Sequence, residues 1–198
     1  MHSEPADLLH PLLATRWSPR EFDPSDVVSD AAVESLLEAA RWAPSAGNSQ
    51  PWAFIVARRG EPDHERLVQY LTKSSARWAS TAGVLIANLS HRFVEDTDWE
   101  YSEFSLYDLG QAVAHMSFQA QSLGLHVRQF RAFDRDGLTA EFEVPPHWEV
   151  TTMSAIGRIL VNRDRPGPDQ AGSAERWRHS ATDIRWPRAA VVERRSPS

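Results

Sequence analysis

The run "AGVLIANLS", Ala82 to Ser90, is the strongest constraint the chain places on its own fold. It is apolar without alternation, so a strand built from it must be covered on both faces. Coverage has to come from helices, and the chain supplies them on either side. "SDAAVESLLEAARWA" puts Val33, Leu36, Leu37 and Ala40 on one helical face, with Ser29 placed to cap and Pro44 placed to stop. "DHERLVQYLTKSSARWAS" reads as helical. A long helix is expected from Glu103 to Leu123, where Leu109, Val113, Met116, Ala120 and Leu123 recur at spacings of three and four before Gly124.

Further strands are expected in "PWAFIVARR" and in "TTMSAIGRILV", the latter broken at Gly157. "LHVRQFRAF" reads equally as strand or extended loop, and "DRDGLTAEFEVPPHWEV" as a short helix and a turn. A helical turn is expected at Leu8 to Leu13. Helices alternating with three or four strands give an α/β or α+β class with one central sheet. With 198 residues and no internal repeat, residues 1–198 read as a single domain. Residues 163–174, polar and rich in Pro and Gly, read as an exposed linker, and 175–198 as a basic C-terminal segment.

Several function classes drop out. There is no Cys, which removes thiolate nucleophiles, disulfides and thiolate metal sites. No His/Asp/Glu cluster has metal-ligand spacing, so no metal is expected. No nucleophile elbow is present, which argues against a hydrolase. A net charge of -6 argues against a nucleic-acid partner, and no apolar run suggests a membrane span or a leader, so a cytoplasmic protein is expected. Eight Trp favour aromatic walls, at a dimer interface or around a flat ligand.

Two segments carry candidate chemistry. In "TRWSPREF", an extended backbone would point Arg16, Ser18 and Arg20 the same way. Two guanidiniums and a hydroxyl on one face would clamp a phosphate; the alternative is a solvated arm with surface arginines. In "PSAGNSQP", Pro44 to Pro51, small residues would let backbone amides approach a ligand, and Asn48 offers both a donor and an acceptor. The alternative there is a turn that merely orients Trp52.

Taken together, "RWSPREF" and "ARWAPSAGNSQPWAF" resemble the N-terminal signature of the nitroreductase family of FMN-dependent oxidoreductases. "YDLGQAVAHMSFQAQSLGL" with "FRAFD", then "MSAIG" and "DIRWPR", are similar to later parts of that family, so the resemblance runs from about Leu12 to Val191. It implies an α+β fold with a central, mostly antiparallel sheet flanked by helices, assembled as an intertwined homodimer with shared flavin sites. It implies that Arg16, Ser18 and Arg20 hold the FMN phosphate and ribityl end, joined by Arg185 or Arg188. Pro44 and Ser45 would lie along the isoalloxazine, and Asn48 would bond one of its polar groups. A backbone N–H of Arg131 or Ala132 would contact flavin N5. Residues 93–107 would form a lid over the neighbouring subunit's flavin, with Trp99, Tyr101, Phe104 and Tyr107 as substrate walls.

The same resemblance implies hydride transfer from NAD(P)H through flavin N5 to a nitroaromatic, quinone or enone acceptor, with no side chain assigned as catalytic. The alternatives are an FMN-dependent dehydrogenase or desaturase reoxidised by oxygen, and a non-enzymatic flavin-binding protein. The last is suggested by Arg131 and Ala132, which stand where many relatives have glycine, or an acidic residue followed by glycine; alanine suits that turn only if its φ is negative. The Arg131 side chain would either face the flavin, steadying negative charge or an anionic substrate, or point outward. His126 is expected to cap the C-terminal end of the long helix or else to touch substrate, and His115 to lie at a surface or interface.

Overall fold

The structure, a computed structural model, describes residues 9–159 and 178–186. Its elements in chain order are helices α1 (Pro11–Thr15) and α2 (Asp30–Arg41), strand β1 (Trp52–Arg58), helices α3 (Pro62–Gln69) and α4 (Lys73–Ala79), strand β2 (Val84–His91), helix α5 (Ser105–Ser122), strand β3 (His126–Phe130), helix α6 (Arg135–Glu141) and strand β4 (Trp148–Gly157). The four strands form one sheet in the order β1-β2-β4-β3, and every pairing is antiparallel. This is an α+β fold, and a parallel α/β sheet is ruled out.

β2 sits second in that order and is buried along almost its whole length. Successive side chains point to opposite faces. Val84 and Ile86 therefore join Ile156 and Val127 beneath α2 and α5, where Leu36, Ala40, Ala112 and Met116 complete one core layer. Leu85, Ala87 and Leu89 face the other way, onto Leu67, Ala79 and Leu138 from α3, α4 and α6. Covering both faces is what the unalternated run required, and each Val, Leu, Ile or Met side chain fully buried there contributes about 1.5–3 kcal/mol before entropy is counted.

The helix signals act as expected in α2 and α5. The Ser29 hydroxyl accepts from the Ala32 N–H at 3.2 Å, and α2 ends ahead of Pro44. At the end of α5, Gly124 takes φ 71°, and the Leu125 and Gly124 N–H groups donate to the carbonyls of Ala120 and Gln121. That closure needs a residue at ease with positive φ, which glycine supplies.

Three expectations change. The stretch 63–80 is two helices, because Tyr70 to Thr72 give their backbone groups to another segment: Tyr70 O accepts from Asp134 N, Leu71 bridges Phe133, and Thr72 N donates to Ala132 O. The first helix starts at Pro11, where proline suits the N-terminal turn, with His10 Nδ1 accepting from Leu12 N. β4 starts at Trp148, earlier than the apolar pattern suggested, because its first residues pair with the end of β2. The ambiguous "LHVRQF" is a strand, β3, at the sheet edge. The linker 163–174 and most of the basic segment lie outside the described residues.

Candidate functional site

The "PSAGNSQP" segment is a loop wound tightly enough to need left-handed backbone. Gly47, Asn48 and Gln50 have φ of 58°, 56° and 47°. Glycine takes that conformation freely and asparagine more readily than most residues. The loop is held from inside by its own atoms and from outside by α5. Ser45 Oγ accepts from Gln50 N at 3.0 Å, and Asp108 Oδ2 accepts from Ala46 N at 3.0 Å. Gln111 Nε2 donates to Pro44 O at 3.4 Å and to Asp108 Oδ1 at 3.3 Å. Asp108 is only 2% exposed. Sequence reasoning passed over Asp108 and Gln111, since an acid in a helix's first turn is ordinarily read as a partner for the helix dipole. The signal available was an acid inside an otherwise apolar helical stripe.

The "RWSPR" arm leaves α1 extended at Arg16, with φ −65° and ψ 129°. Its inward residues fasten it to β3. Trp17 packs edge-on against His126 with ring centroids 5.4 Å apart. Pro19 is buried, and its carbonyl accepts from Arg128 Nη1 at 3.1 Å. The Arg128 guanidinium in turn lies 4.2 Å from the Trp78 ring centroid. So anchored, the arm turns Arg16 and Ser18 into one wall of a cavity of about 420 Å³. Arg16 Nη1 approaches Ser18 Oγ at 3.5 Å, and Ser117, Phe118, Val127 and Gln129 face them. Arg20 is exposed and is not part of that lining.

His126 does not cap α5. It lies in β3 with Nδ1 buried and without a hydrogen-bond partner, and burial pushes its pKa below the ordinary histidine value. A position at a helix C-terminus would have raised it. His115 is half-buried beside a second groove between α2 and α5, together with Trp42 and Phe118.

The turn after β3 is anchored through a carbonyl. Ala132 O accepts from Thr72 N and Thr72 Oγ1, both at 3.2 Å, and from Ser75 Oγ. Neither Arg131 nor Ala132 has positive φ, so an alanine in place of glycine carries no backbone strain there. Their N–H groups donate to no acceptor among the described residues. The Arg131 side chain is exposed, its guanidinium 5.5 Å from the Phe133 ring centroid.

Residues 92–101 form an arm closed by a Phe93–Glu100 bridge. Trp99 and Tyr107 stand out from the surface at 77% and 69% exposure, and Phe104 is also exposed. Tyr101 is engaged instead: its ring stacks on His91, and its hydroxyl donates to Ser49 O at 3.2 Å. Arg185 lies in an exposed turn, and no described contact ties it to Arg16; Arg188 lies outside the described residues. Among the described residues there is no group of three potential metal ligands, and no helix is long and apolar enough to cross a membrane.

Comparison with known proteins agrees with this fold. The Nitroreductase family profile matches residues 13–79, the stretch that holds both the arm and the loop. A Streptomyces coelicolor protein, provisionally named as an NADH dehydrogenase/NAD(P)H nitroreductase, is 29% identical over 148 residues, covering 66% of this chain and 73% of that one. An Archaeoglobus fulgidus protein with the same provisional name is 34% identical over 118 residues, covering 58% and 62%. Among solved structures, one described as an oxidoreductase containing FMN superposes with a TM-score of 0.81 at 27% identity, covering 94% of this chain and 96% of that one. Fold and profile together define a nitroreductase-like α+β chain. The chain is similar to the nitroreductase family, by the profile match over residues 13–79 and by the fold.

Proposed function

We propose that the chain binds FMN with the phosphate end at Arg16, Ser18 and Arg20 and the ring along Pro44, Ser45 and Asn48, and passes hydride from NAD(P)H to a small aromatic or conjugated acceptor. The observation that carries this reading is the Arg16–Ser18 cavity. An always-charged fork of donors beside a hydroxyl suits a phosphate, and the half-buried placement of Arg16 strengthens each charge-assisted bond. The residues elsewhere fit a flavin as well. The left-handed loop offers small side chains and exposed Asn48, and the Arg131 and Ala132 amides have no acceptor among the described residues, as a backbone donor facing flavin N5 requires.

When bound, FMN supplies the redox chemistry, accepting and passing on hydride at N5. The chain's part is to orient the ring, keep one face open and offer donors where negative charge gathers. No side chain needs to act as acid or base. The exposed Arg131 supports a role in holding an anionic group near that open face.

Two half-sites on one helix support a homodimer with shared flavin sites. The loop docks at Asp108 and Gln111, whereas the Arg16 cavity opens at Ala114 to Phe118. Ser117 lies nine positions along α5 from Asp108, a span of about 14 Å at the helical rise. The exposed Trp42, Trp99, Tyr107 and Trp186 are surfaces that a second copy would cover. On that arrangement the 93–107 arm reaches the neighbouring subunit's flavin, Trp99, Phe104 and Tyr107 line the acceptor's path, and Arg185 reaches the phosphate.

The test is an anaerobic absorbance scan of the purified protein before and after NADH or NADPH. Flavin bands that bleach on mixing are the expected result. Bands that persist with both nucleotides, but bleach with an oxidisable organic substrate, would replace this reading by a dehydrogenase or desaturase. Protein that neither contains nor takes up FMN would overturn the cofactor assignment.

A further inference from the structure

Tyr101 sits where three separate parts of the molecule meet, and its contacts are of two kinds. Its ring stacks on His91, with centroids 3.8 Å apart and planes 19° from parallel. His91 stacks in turn on Trp148 of β4, at 4.6 Å and 12°. Its hydroxyl leaves that stack and donates to the carbonyl of Ser49, inside the left-handed loop.

The base of the arm is fixed at the same place. Tyr101 N donates to Arg92 O at 2.9 Å, and Arg92 and Phe93 both donate to His147 O. Arg92 also pairs with Glu149 at 3.5 Å. Away from this base, the arm's hydrogen bonds among the described residues are its own turn contacts, Val94 N to Trp99 O, Thr97 N and Oγ1 to Val94 O and Trp99 N to Thr97 Oγ1, and its tip carries exposed Trp99.

The loop side is equally specific. Ser49 O belongs to the peptide that leads into Gln50, whose φ of 47° is an unfavourable conformation for a residue with a side chain. A hydrogen bond to that carbonyl helps set the peptide's orientation. The bond joins residues 52 positions apart and is a direct side-chain link between arm and loop.

We infer that Tyr101 is a positioning residue that couples the 92–101 arm to the 44–51 loop, so that ordering either segment orders the other. The inference rests on the cofactor reading above for its functional meaning. A flavin settling on the loop orders the arm carrying Trp99, and an acceptor drawing the arm in tightens the loop. Tyr101 acts through the loop; it is not a wall against the acceptor. Its stack supplies the rigidity: a ring held flat on His91 has little freedom left to swing its hydroxyl away from Ser49.

The test is hydrogen–deuterium exchange by mass spectrometry on the full chain and its Tyr101→Phe variant, each with and without FMN. Phenylalanine keeps the stack and removes only the hydroxyl. Without FMN, exchange across 46–50 is expected to rise roughly two- to tenfold in the variant, the range one neutral hydrogen bond sets, with the thermal midpoint nearly unmoved. With FMN, both segments should be protected in the wild type, but only the loop in the variant. Loop exchange unchanged by the substitution, or an arm still protected by FMN in the variant, overturns the coupling. If FMN protects neither segment in the wild type, the cofactor reading fails, and the flavin-free comparison still decides the coupling.

Discussion

Asp108 Oδ2 accepts a hydrogen bond from the Ala46 N–H across 62 residues of sequence, at 3.0 Å, from a side chain that is 2% exposed. A carboxylate so enclosed needs its partners, and the loop amide is one of them. Asp108→Ala would strand the Ala46 N–H and release Gln111. It should destabilise the protein by about 1–3 kcal/mol, the cost of an unsatisfied buried group, and weaken FMN binding at least tenfold. Asp108→Asn, which keeps an acceptor oxygen, should cost less. Urea unfolding and flavin fluorescence titration check the two effects separately.

The arm makes a prediction that separates its two arginines. Arg16 lines the cavity beside Ser18, and Arg20 lies outside that lining. Charge-assisted hydrogen bonds to a phosphate contribute about 1.5–3 kcal/mol each. Arg16→Ala should therefore raise the FMN Kd at least tenfold, and Arg20→Ala should raise it less. Equal losses at both positions would show that a phosphate engages the whole arm. Unchanged affinity at Arg16 would remove the clamp.

Arg128 is expected to matter without touching the cofactor. It donates to Pro19 O and lies over Trp78, so it fixes the arm's path from behind. Arg128→Met keeps the length of the stem and removes the donor and the cation over the ring, an interaction worth about 0.5–2 kcal/mol. FMN affinity should fall, with Arg128→Lys between the two. The pH profile of turnover should stay where it is.

Acid should weaken the fold through its buried histidines. Burial is the leading cause that lowers the pKa of His64, His126 and His91 from the ordinary 6.5, with the neighbouring His147 adding to it at His91. A folded-state pKa below the unfolded one gives stability that is complete above 6.5 and is lost as pH falls through it toward the folded value. The urea midpoint should fall measurably between about pH 7.5 and pH 5.5. His64→Leu removes one of these groups and should flatten part of the slope. A midpoint that rises on acidification would contradict this account.

How much of this was legible beforehand depended on whether the cause was local. The α2 cap at Ser29, the stop before Pro44, the turn at Gly124 and the burial of β2 follow from neighbouring residues, and they read directly from the order of side chains. The split between α3 and α4 did not read. Nothing in "YLTK" forbids a helix, and it breaks because the distant 132–134 turn claims its backbone groups.

The candidate site divides in the same way. The residue types of the arm and the loop, a guanidinium beside a hydroxyl and a run of small residues around Asn48, were set by sequence alone. Their working arrangement was decided by tertiary structure. Asp108 and Gln111 grip the loop, Arg128 and His126 hold the arm, and Tyr101 turns from an expected wall into a link to Ser49. Each of these contacts joins residues far apart in the chain. Short-range spacing records which atoms can bond, and only packing brings a particular donor to a particular acceptor, because a bond's free energy depends on a separation of a few ångströms that spacing along the chain does not carry.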